Sequence, residues 1–311
     1  MSEQILDLST IHCIVCGSLK SEYLLSKSQD GRGDGKITLR QCQDCQTVFL
    51  QDWKTEFIPA LYDYYSARIS LDKSELYNPI NKLRYEKLLA LFKALVKNNR
   101  ILDVGCGQGH LVDVAMQNKW EVLGIDLSES AVAICEKFDL PVKKIDFFNP
   151  ILKPESFDVV TMFEVIEHVS NPAKFIYRAE QLLKPSGLLY LTTPNFNSLE
   201  KRILGAEWHV IHREHLTYFE PYTLKNLITN NSNLQITSIN TRNISTDAIR
   251  RLMFISTKKK HSAAKAPVLR EKIESSILLK LLKSSINTLL NLSGSGSKMI
   301  ALCRKPSIIK N

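Results

Sequence analysis

The sequence lacks the segments that carry a chain into or across a membrane. No apolar run approaches the roughly 20 residues that a transmembrane helix needs. Residues 1–7 hold two acidic side chains and no apolar stretch follows them, whereas a signal peptide has a basic start and an apolar middle. We therefore expect a cytoplasmic protein. Its 311 residues are enough for one large α/β domain and one small domain.

Outside one segment the chain also lacks an excess of charge of either sign. Residues 250–283 contain ten of the 41 Lys and Arg but only two Glu, and so hold most of the net charge of +9. Such a segment is most often a solvated surface, although some bind nucleic acid, anionic lipid or an anionic substrate. Its end, residues 277–283, mixes Leu and Lys, which favours a packed helix or, as an alternative, peripheral contact with a membrane.

Four of the seven cysteines form two C-x-x-C pairs, a pattern typical of metal binding in a reducing compartment. Twenty-five residues separate the pairs, which are Cys13, Cys16, Cys42 and Cys45. Two pairs can aim four thiolates at one point, which is the arrangement of structural zinc sites. A fragment this small buries little core, so the ion would hold it together. We predict a zinc-ribbon-like domain over residues 1–50.

Two further segments complete the predicted organisation. Residues 51–78 are rich in Trp and Tyr, and we interpret them as an aromatic linker packed on the main domain or as a lid over a substrate. Residues 79–311 form the main domain, with a basic helical insert at about 243–296.

A loop with alternate glycines follows a short apolar run, residues 101–104, that predicts a buried parallel strand. The glycines are Gly105, Gly107 and Gly109. Positions without a side chain let a ligand approach the backbone closely. The spacing is not that of a dinucleotide fingerprint, because the third glycine would fall at His110.

Two acids flank this glycine loop. Asp103 precedes it, and Asp126 ends the next apolar run, while the loop itself has no Lys or Arg that could bind a phosphate. A carboxylate at position 126 can accept hydrogen bonds from both hydroxyls of a ribose, and one at position 103 can hold an ammonium group. The pattern predicts a cationic ligand that carries a ribose; a structural turn without a ligand is the alternative.

The run D-V-G-C-G-Q-G at 103–109 resembles the first motif of the class I S-adenosylmethionine-dependent methyltransferases. The resemblance extends from about residue 83 to 219. It implies an α/β fold, with a Rossmann-like seven-stranded sheet whose last strand, 298–304, is antiparallel at the edge. It also implies S-adenosylmethionine as cofactor, bound by Asp103, Gly105, Gly107, Gly109 and Asp126, with Asp146 at the adenine edge and Phe147 near its face.

Glu164, Glu167 and His168 form an E-x-x-E-H pattern, similar to that of ubiquinone-pathway O-methyltransferases and small-RNA 2′-O-methyltransferases. On a helical turn the three side chains would share one face. The resemblance implies a divalent metal, such as Mg²⁺, beside an acceptor hydroxyl whose pKa it would lower. His212 or His215 would complete the ligand set. The alternative is a helix amino terminus, where acids suit the dipole.

Residues 212–219 read H-R-E-H-L-T-Y-F. Together with the cysteine ribbon and an aromatic run at 62–66, this segment resembles the deoxysugar C-methyltransferases. That resemblance implies that Glu214 and His215 handle proton transfer and that His168 assists, with His212 as a further catalytic candidate. Histidine is the side chain best suited to act as a base near neutral pH.

These patterns together predict an S-adenosylmethionine-dependent methyltransferase. The expected acceptor is a hydroxyl of a small molecule or of a carrier-linked sugar, with a histidine as general base and with metal assistance left open. Sugar C-methylation is the alternative reaction. A nucleic-acid-binding protein with a degenerate methyltransferase domain is an alternative of another class, although nucleic acid is not the expected partner. Peripheral membrane contact through the basic insert stays open.

Overall fold

The computed structural model describes residues 11–28, 36–53, 79–245, 248 and 277–307. The predicted lid therefore lies mostly outside the described residues, as does the larger part of the basic insert. Within the described residues, no helix combines the length and the apolarity that crossing a lipid bilayer requires.

Seven strands form one central sheet. They are β4 Arg100–Val104, β5 Glu121–Asp126, β6 Val142–Lys144, β7 Phe157–Phe163, β8 Leu183–Pro194, β10 Gln235–Arg242 and β11 Lys298–Arg304. Their order is β10-β11-β8-β7-β4-β5-β6. The pairs from β8 through β6 are parallel, and β11 runs antiparallel to both of its neighbours. The predicted Rossmann-like sheet with an antiparallel last strand is confirmed.

The position of the last strand was predicted wrongly in one respect. It lies between β10 and β8 and not at the edge of the sheet. The physical reason is burial: Met299, Ala301, Leu302 and Cys303 are all buried, and a strand with apolar residues on both faces is stable in the interior of a sheet.

Helices cover both faces of this sheet. They are α1 Pro79–Leu95, α2 His110–Gln117, α3 Glu129–Glu136, α4 Pro172–Leu182, α5 Leu199–Leu204, α6 Pro221–Asn231 and α7 Ile277–Leu292. The first three helices share one apolar cluster, and α4 and α6 share another. Helix α7 packs beside the end of β10, where Thr241 Oγ1 donates to the carbonyl of Leu290 over 2.7 Å. The side chains of residues 277–283, to which the choice between packing and membrane contact applied, lie outside the described residues.

The amino-terminal residues form a second, smaller antiparallel sheet. Its strands are β1 Ser21–Ser28, β2 Lys36–Cys42, β3 Val48–Leu50 and β9 Thr217–Tyr218, in that order. The fourth strand comes from the histidine-rich segment, more than 150 residues further along the chain. The strands of residues 1–50 are thus completed by the main domain.

Candidate active site

The glycine loop joins β4 to α2 at the carboxyl edge of the sheet, the edge where open parallel sheets bind ligands. Gly105, Gly107 and Gly109 have φ of 65°, 52° and 75°, in the left-handed region that favours glycine. A Cβ at Gly107 would meet nothing within 4 Å, so this position borders open space. A Cβ at Gly105 would lie 2.7 Å from Cγ2 of Val165, so the missing side chain lets the turn after β7 pack against the loop.

Asp126 holds this loop in place. Its Oδ2 accepts a hydrogen bond from the Gly107 amide and its Oδ1 accepts one from the Ser128 amide, each over 2.8 Å. Each carboxylate oxygen keeps a second acceptor position. The side chain can therefore organise the loop and still accept hydrogen bonds from two hydroxyls of a ligand.

Asp103 lies at the end of β4 and is only 3% exposed. Burial raises the pKa of its carboxyl to about 7; the hydrogen bond from Thr161 opposes this rise and the charge of Asp126 adds to it. Thr161 Oγ1 donates to Asp103 Oδ1 over 2.6 Å. A cation placed beside this side chain would stabilise its ionised form. Sequence reasoning missed Thr161, although a Thr inside the apolar run of β7 was a usable signal.

Asp146 and Phe147 are the two residues predicted to lie at an adenine ring, and only Asp146 is placed where it could do so. Asp146 follows β6, and its Oδ1 accepts a hydrogen bond from the Phe148 amide over 2.7 Å. Phe147 is 4% exposed and stacks on Phe175 with ring centroids 5.2 Å apart, inside the core. The prediction that Phe147 lies against an adenine face is therefore corrected. Phe148 is 42% exposed and packs edge-on against the same Phe175 ring, with centroids 5.2 Å apart.

Glu164 does not join the group predicted from the E-x-x-E-H spacing. The segment after β7 is a turn and not a helix, and Glu164 itself has φ of 53°. Its Oε1 accepts a hydrogen bond from Thr192 Oγ1 over 2.7 Å and lies 3.0 Å from Lys298 Nζ. The left-handed residue breaks the helical spacing, so the prediction of one shared face is wrong for Glu164.

Glu167, His168 and His215 do converge. One candidate ligand atom from each residue lies within 4.8 Å of the other two. Glu167 Oε2 accepts a hydrogen bond from Thr193 Oγ1 over 2.9 Å, while its buried Oε1 has no hydrogen-bond partner among the described residues. Burial, followed by the charge of Glu164, raises the pKa of Glu167 well above its ordinary value. A carboxylate in this position needs a proton or a cation.

Backbone carbonyls fix the orientation of both imidazoles. His168 Nδ1 lies 2.7 Å from the carbonyl oxygen of Glu214, and His215 Nδ1 lies 2.9 Å from that of Val210. Because a carbonyl only accepts, each Nδ1 carries the proton and each Nε2 is an acceptor or ligand atom. Desolvation lowers the pKa of His168 to about 4, so this ring is neutral at neutral pH.

His212 and Glu214 extend this group of buried side chains. The rings of His212 and His215 have centroids 3.9 Å apart, and His212 Nδ1 lies 3.7 Å from Glu214 Oε2. His209 is excluded from the group, since its side chain is 70% exposed and lies 3.5 Å from Glu200. The arrangement can bind a cation or accept a proton next to the glycine loop.

The four predicted cysteines also converge. Cys13 Sγ lies 3.6 Å from Cys45 Sγ, and Cys16 Sγ lies 3.5 Å from Cys42 Sγ, with all four sulfur atoms within 4.8 Å of one another. Tetrahedral zinc with Zn–S bonds of about 2.3 Å requires sulfur atoms roughly 3.8 Å apart. The group is therefore compatible with a zinc ribbon.

Comparison with known proteins identifies the domain. The family described as "Methyltransferase domain" matches residues 78–239, just over half of the chain. A ubiquinone biosynthesis O-methyltransferase of Leptothrix cholodnii is 37% identical over 119 residues, which are 35% of this chain and 51% of that protein. The corresponding protein of Alkalilimnicola ehrlichii is 35% identical over 138 residues, 42% of this chain and 56% of that protein. The chain thus spans about half the length of the curated relatives it matches.

Solved structures show the same fold. A SAM-dependent methyltransferase from Archaeoglobus fulgidus superposes with a TM-score of 0.50 at 18% identity and covers 75% of this chain and 100% of its own. The chain therefore belongs to the methyltransferase-domain family and has the Rossmann-like fold of the class I S-adenosylmethionine-dependent enzymes.

Proposed function

We propose that this protein transfers a methyl group from S-adenosylmethionine to a hydroxyl of a small molecule. The observation that carries the proposal is the convergence of Glu167, His168 and His215 beside the glycine loop. Transfer to oxygen is supported by the relatives, which are named for ubiquinone biosynthesis O-methylation. A hydroxyl of a carrier-linked sugar is the second acceptor class.

The donor would bind along the glycine loop. Asp126 would accept hydrogen bonds from the ribose hydroxyls, Asp103 would hold the ammonium group, and Asp146 would lie at the adenine edge. The left-handed glycines leave the space beside Gly107 open for the donor. S-adenosylmethionine supplies an electrophilic methyl group on a sulfonium, and the protein must align it with the acceptor oxygen.

The group formed by Glu167, His168 and His215 fits a divalent metal. One candidate ligand atom of each residue lies within 4.8 Å of the other two, and Oε1 of the buried Glu167 has no hydrogen-bond partner among the described residues. Two imidazoles and one carboxylate suit Mn²⁺, Fe²⁺ or Zn²⁺ better than Mg²⁺, which prefers oxygen ligands. A metal held there would lower the pKa of the acceptor hydroxyl.

Proton removal can follow one of two routes through these side chains. Without a metal, His215 Nε2 accepts the proton, because the Val210 carbonyl holds the proton on Nδ1. If a metal is bound, His215 would be one of its ligands, and the neighbouring pair of His212 and Glu214 would take the proton. In both routes, His168 stays neutral.

One set of measurements tests the function and separates these routes. The protein is incubated with methyl-labelled S-adenosylmethionine and a crude metabolite extract, and transferred label is counted. His215→Ala should abolish transfer while calorimetry shows unchanged donor affinity; His209→Ala, an exposed histidine outside the group, is the matched control. Undiminished transfer by His215→Ala would remove the proposed site.

A chelator then distinguishes the two routes. Inhibition that Mn²⁺ reverses indicates the metal-assisted route, whereas full activity in the chelator indicates His215 as the base. NMR of the labelled product then shows whether the methyl group is bonded to oxygen or to carbon. A methyl on carbon would favour the alternative, sugar C-methylation.

The four cysteines would hold a structural zinc ion. Four thiolates fill every position of a tetrahedral ion, so no position is left for a substrate. In this organisation, residues 1–50 are a zinc-ribbon-like domain joined to a methyltransferase domain of residues 79–311. The distances of 3.6 Å between the sulfur atoms of Cys13 and Cys45 and 3.5 Å between those of Cys16 and Cys42 support the zinc assignment.

A further inference from the structure

The segment that carries the site histidines is attached to the amino-terminal ribbon as well as to the methyltransferase sheet. On one side, the amides of Leu216 and Thr217 donate to the carbonyl of Glu167 over 2.8 and 3.1 Å. On the other side, β9 pairs with β3, so that Val48 and Phe49 lie opposite Tyr218 and Thr217. The segment is therefore held between the catalytic turn and the ribbon.

An ion pair just after the last ribbon strand, β3, strengthens this attachment. Arg213 Nη1 lies 2.6 Å from Oδ2 of Asp52, and Arg213 Nη2 donates to the carbonyl of Lys36 over 3.3 Å. Both side chains are less than a quarter exposed, so solvent screens this pair less than a surface pair. Arg213 lies between His212 and Glu214 in the chain. Fixing its side chain on the ribbon restricts the backbone of both neighbours.

The two parts also share one apolar core. The histidine-bearing segment, residues 208–218, contributes four buried side chains to this core: Trp208, Ile211, Leu216 and Tyr218. The ribbon contributes Ile37, Leu39, Phe49 and Leu50 to the same core. Tyr218 connects this core to the histidines, because its hydroxyl donates to the His212 carbonyl over 3.0 Å. Its ring lies 5.9 Å from that of His215, centroid to centroid. A shift of the ribbon would therefore reach both rings.

We infer that Asp52 and Arg213 are positioning residues of the active site. By fastening residues 212–215 to the ribbon, they set the separation of His212 and His215 from the turn that carries Glu167. The ribbon is then one wall of the site and not an independent appendage. The inference rests on the proposed function for the role of the histidines, but the attachment itself can be measured without an acceptor.

The test compares Asp52→Asn, which removes the charge but keeps the shape, with Glu121→Gln, which breaks the exposed pair between Arg100 and Glu121. In protein with ¹⁵N-labelled histidine rings, Asp52→Asn should shift the ring signals of His212 and His215 and leave that of His110 in place. Affinity for Mn²⁺ alone, measured by water-proton relaxation, should fall about tenfold, as for other supports of metal ligands. Affinity for S-adenosylmethionine and the zinc content should not change, and Glu121→Gln should behave as wild type.

Conservative replacement provides the second variant. Asp52→Glu keeps the charge and should restore most of the Mn²⁺ affinity, and it is also the variant to measure if Asp52→Asn does not fold. Unshifted His212 and His215 signals in Asp52→Asn would overturn the inference, as would equal shifts in Glu121→Gln. A wild-type protein that binds no Mn²⁺ counts against the metal-assisted route only, because the ring signals still decide the role of Asp52.

Discussion

Binding of S-adenosylmethionine should be linked to a proton on Asp103. Burial raises the pKa of this carboxyl to about 7 in the free protein; the hydrogen bond from Thr161 opposes the rise and the charge of Asp126 adds to it. A cationic donor favours the ionised carboxylate and lowers this pKa in the complex. The proton must leave on binding, so donor affinity should weaken as the pH falls below 7.

The expected size follows from the same pKa. A carboxyl with a pKa of about 7 is ionised in about one half of the molecules at pH 7 and in about one eleventh at pH 6. The dissociation constant should therefore rise about fivefold between these pH values, which corresponds to about 1 kcal/mol. Both pH 6 and pH 7 lie below the pKa of an α-amino group, which is about 7.7–8.0, so the amino group of the donor stays mostly protonated.

Calorimetry at pH 6 and pH 7, in buffers of different ionisation enthalpy, measures both the affinity and the proton release. Asp103→Asn keeps the side-chain shape but has no charge to titrate, so it should bind more weakly and without the fivefold pH dependence. Wild-type affinity that is constant from pH 6 to pH 7 would refute the reasoning. So would a fivefold change that persists in Asp103→Asn, because the proton would then belong to another group.

Three further predictions concern the loop, the cysteines and the buried acid. Gly107→Arg should abolish calorimetric donor binding, because a side chain there fills the open space beside the loop; retained affinity would mean that the donor binds elsewhere. Cys42→Ser should reduce zinc, measured by atomic absorption, from about one ion per chain to a small fraction, whereas Cys303→Ser, a buried thiol outside the cluster, should not. Equal zinc in both variants would argue against the ribbon site. Glu167→Gln should abolish Mn²⁺ binding yet raise the unfolding free energy of the metal-free protein at pH 8, since wild type loses stability as the pH rises toward the raised pKa of Glu167. Denaturation that shows Glu167→Gln to be the less stable protein at pH 8 would contradict this.

Local patterns predicted the elements of the fold better than their arrangement. The apolar runs at β4, β5 and β7 and the glycine loop are readable because each depends on residues close together in sequence. The family resemblance, and not these patterns, predicted that the strands form one seven-stranded sheet with an antiparallel last strand. The apolar residues on both faces of 298–304 favour an interior strand, and its pairing with both β8 and β10 establishes that position.

The candidate site was predicted in composition but not in geometry. The spacing of Glu164, Glu167 and His168 suggested a single helical face, and a left-handed residue at 164 defeats that reasoning without any signal in the spacing. His215 follows His168 by 47 positions, and its place beside His168 depends on the pairing of β9 with the ribbon. Contacts between residues so far apart leave no local pattern, so only resemblance brought these residues together.

The interior position of β11 also accounts for the different contacts of Glu164 and Glu167. Lys298 begins β11 and lies opposite Pro194 at the end of β8, which places its Nζ 3.0 Å from Glu164 Oε1. A last strand at the edge, beyond β10, would lie one strand spacing of about 4.8 Å further away and would not reach. Burial is the largest cause of the raised pKa of Glu167; the charge of Glu164 raises this pKa further, and the charge of Lys298 lowers it. Glu164 is thus paired with a side chain of the sheet, whereas Glu167, whose Oε1 has no hydrogen-bond partner among the described residues, lies with His168 and His215.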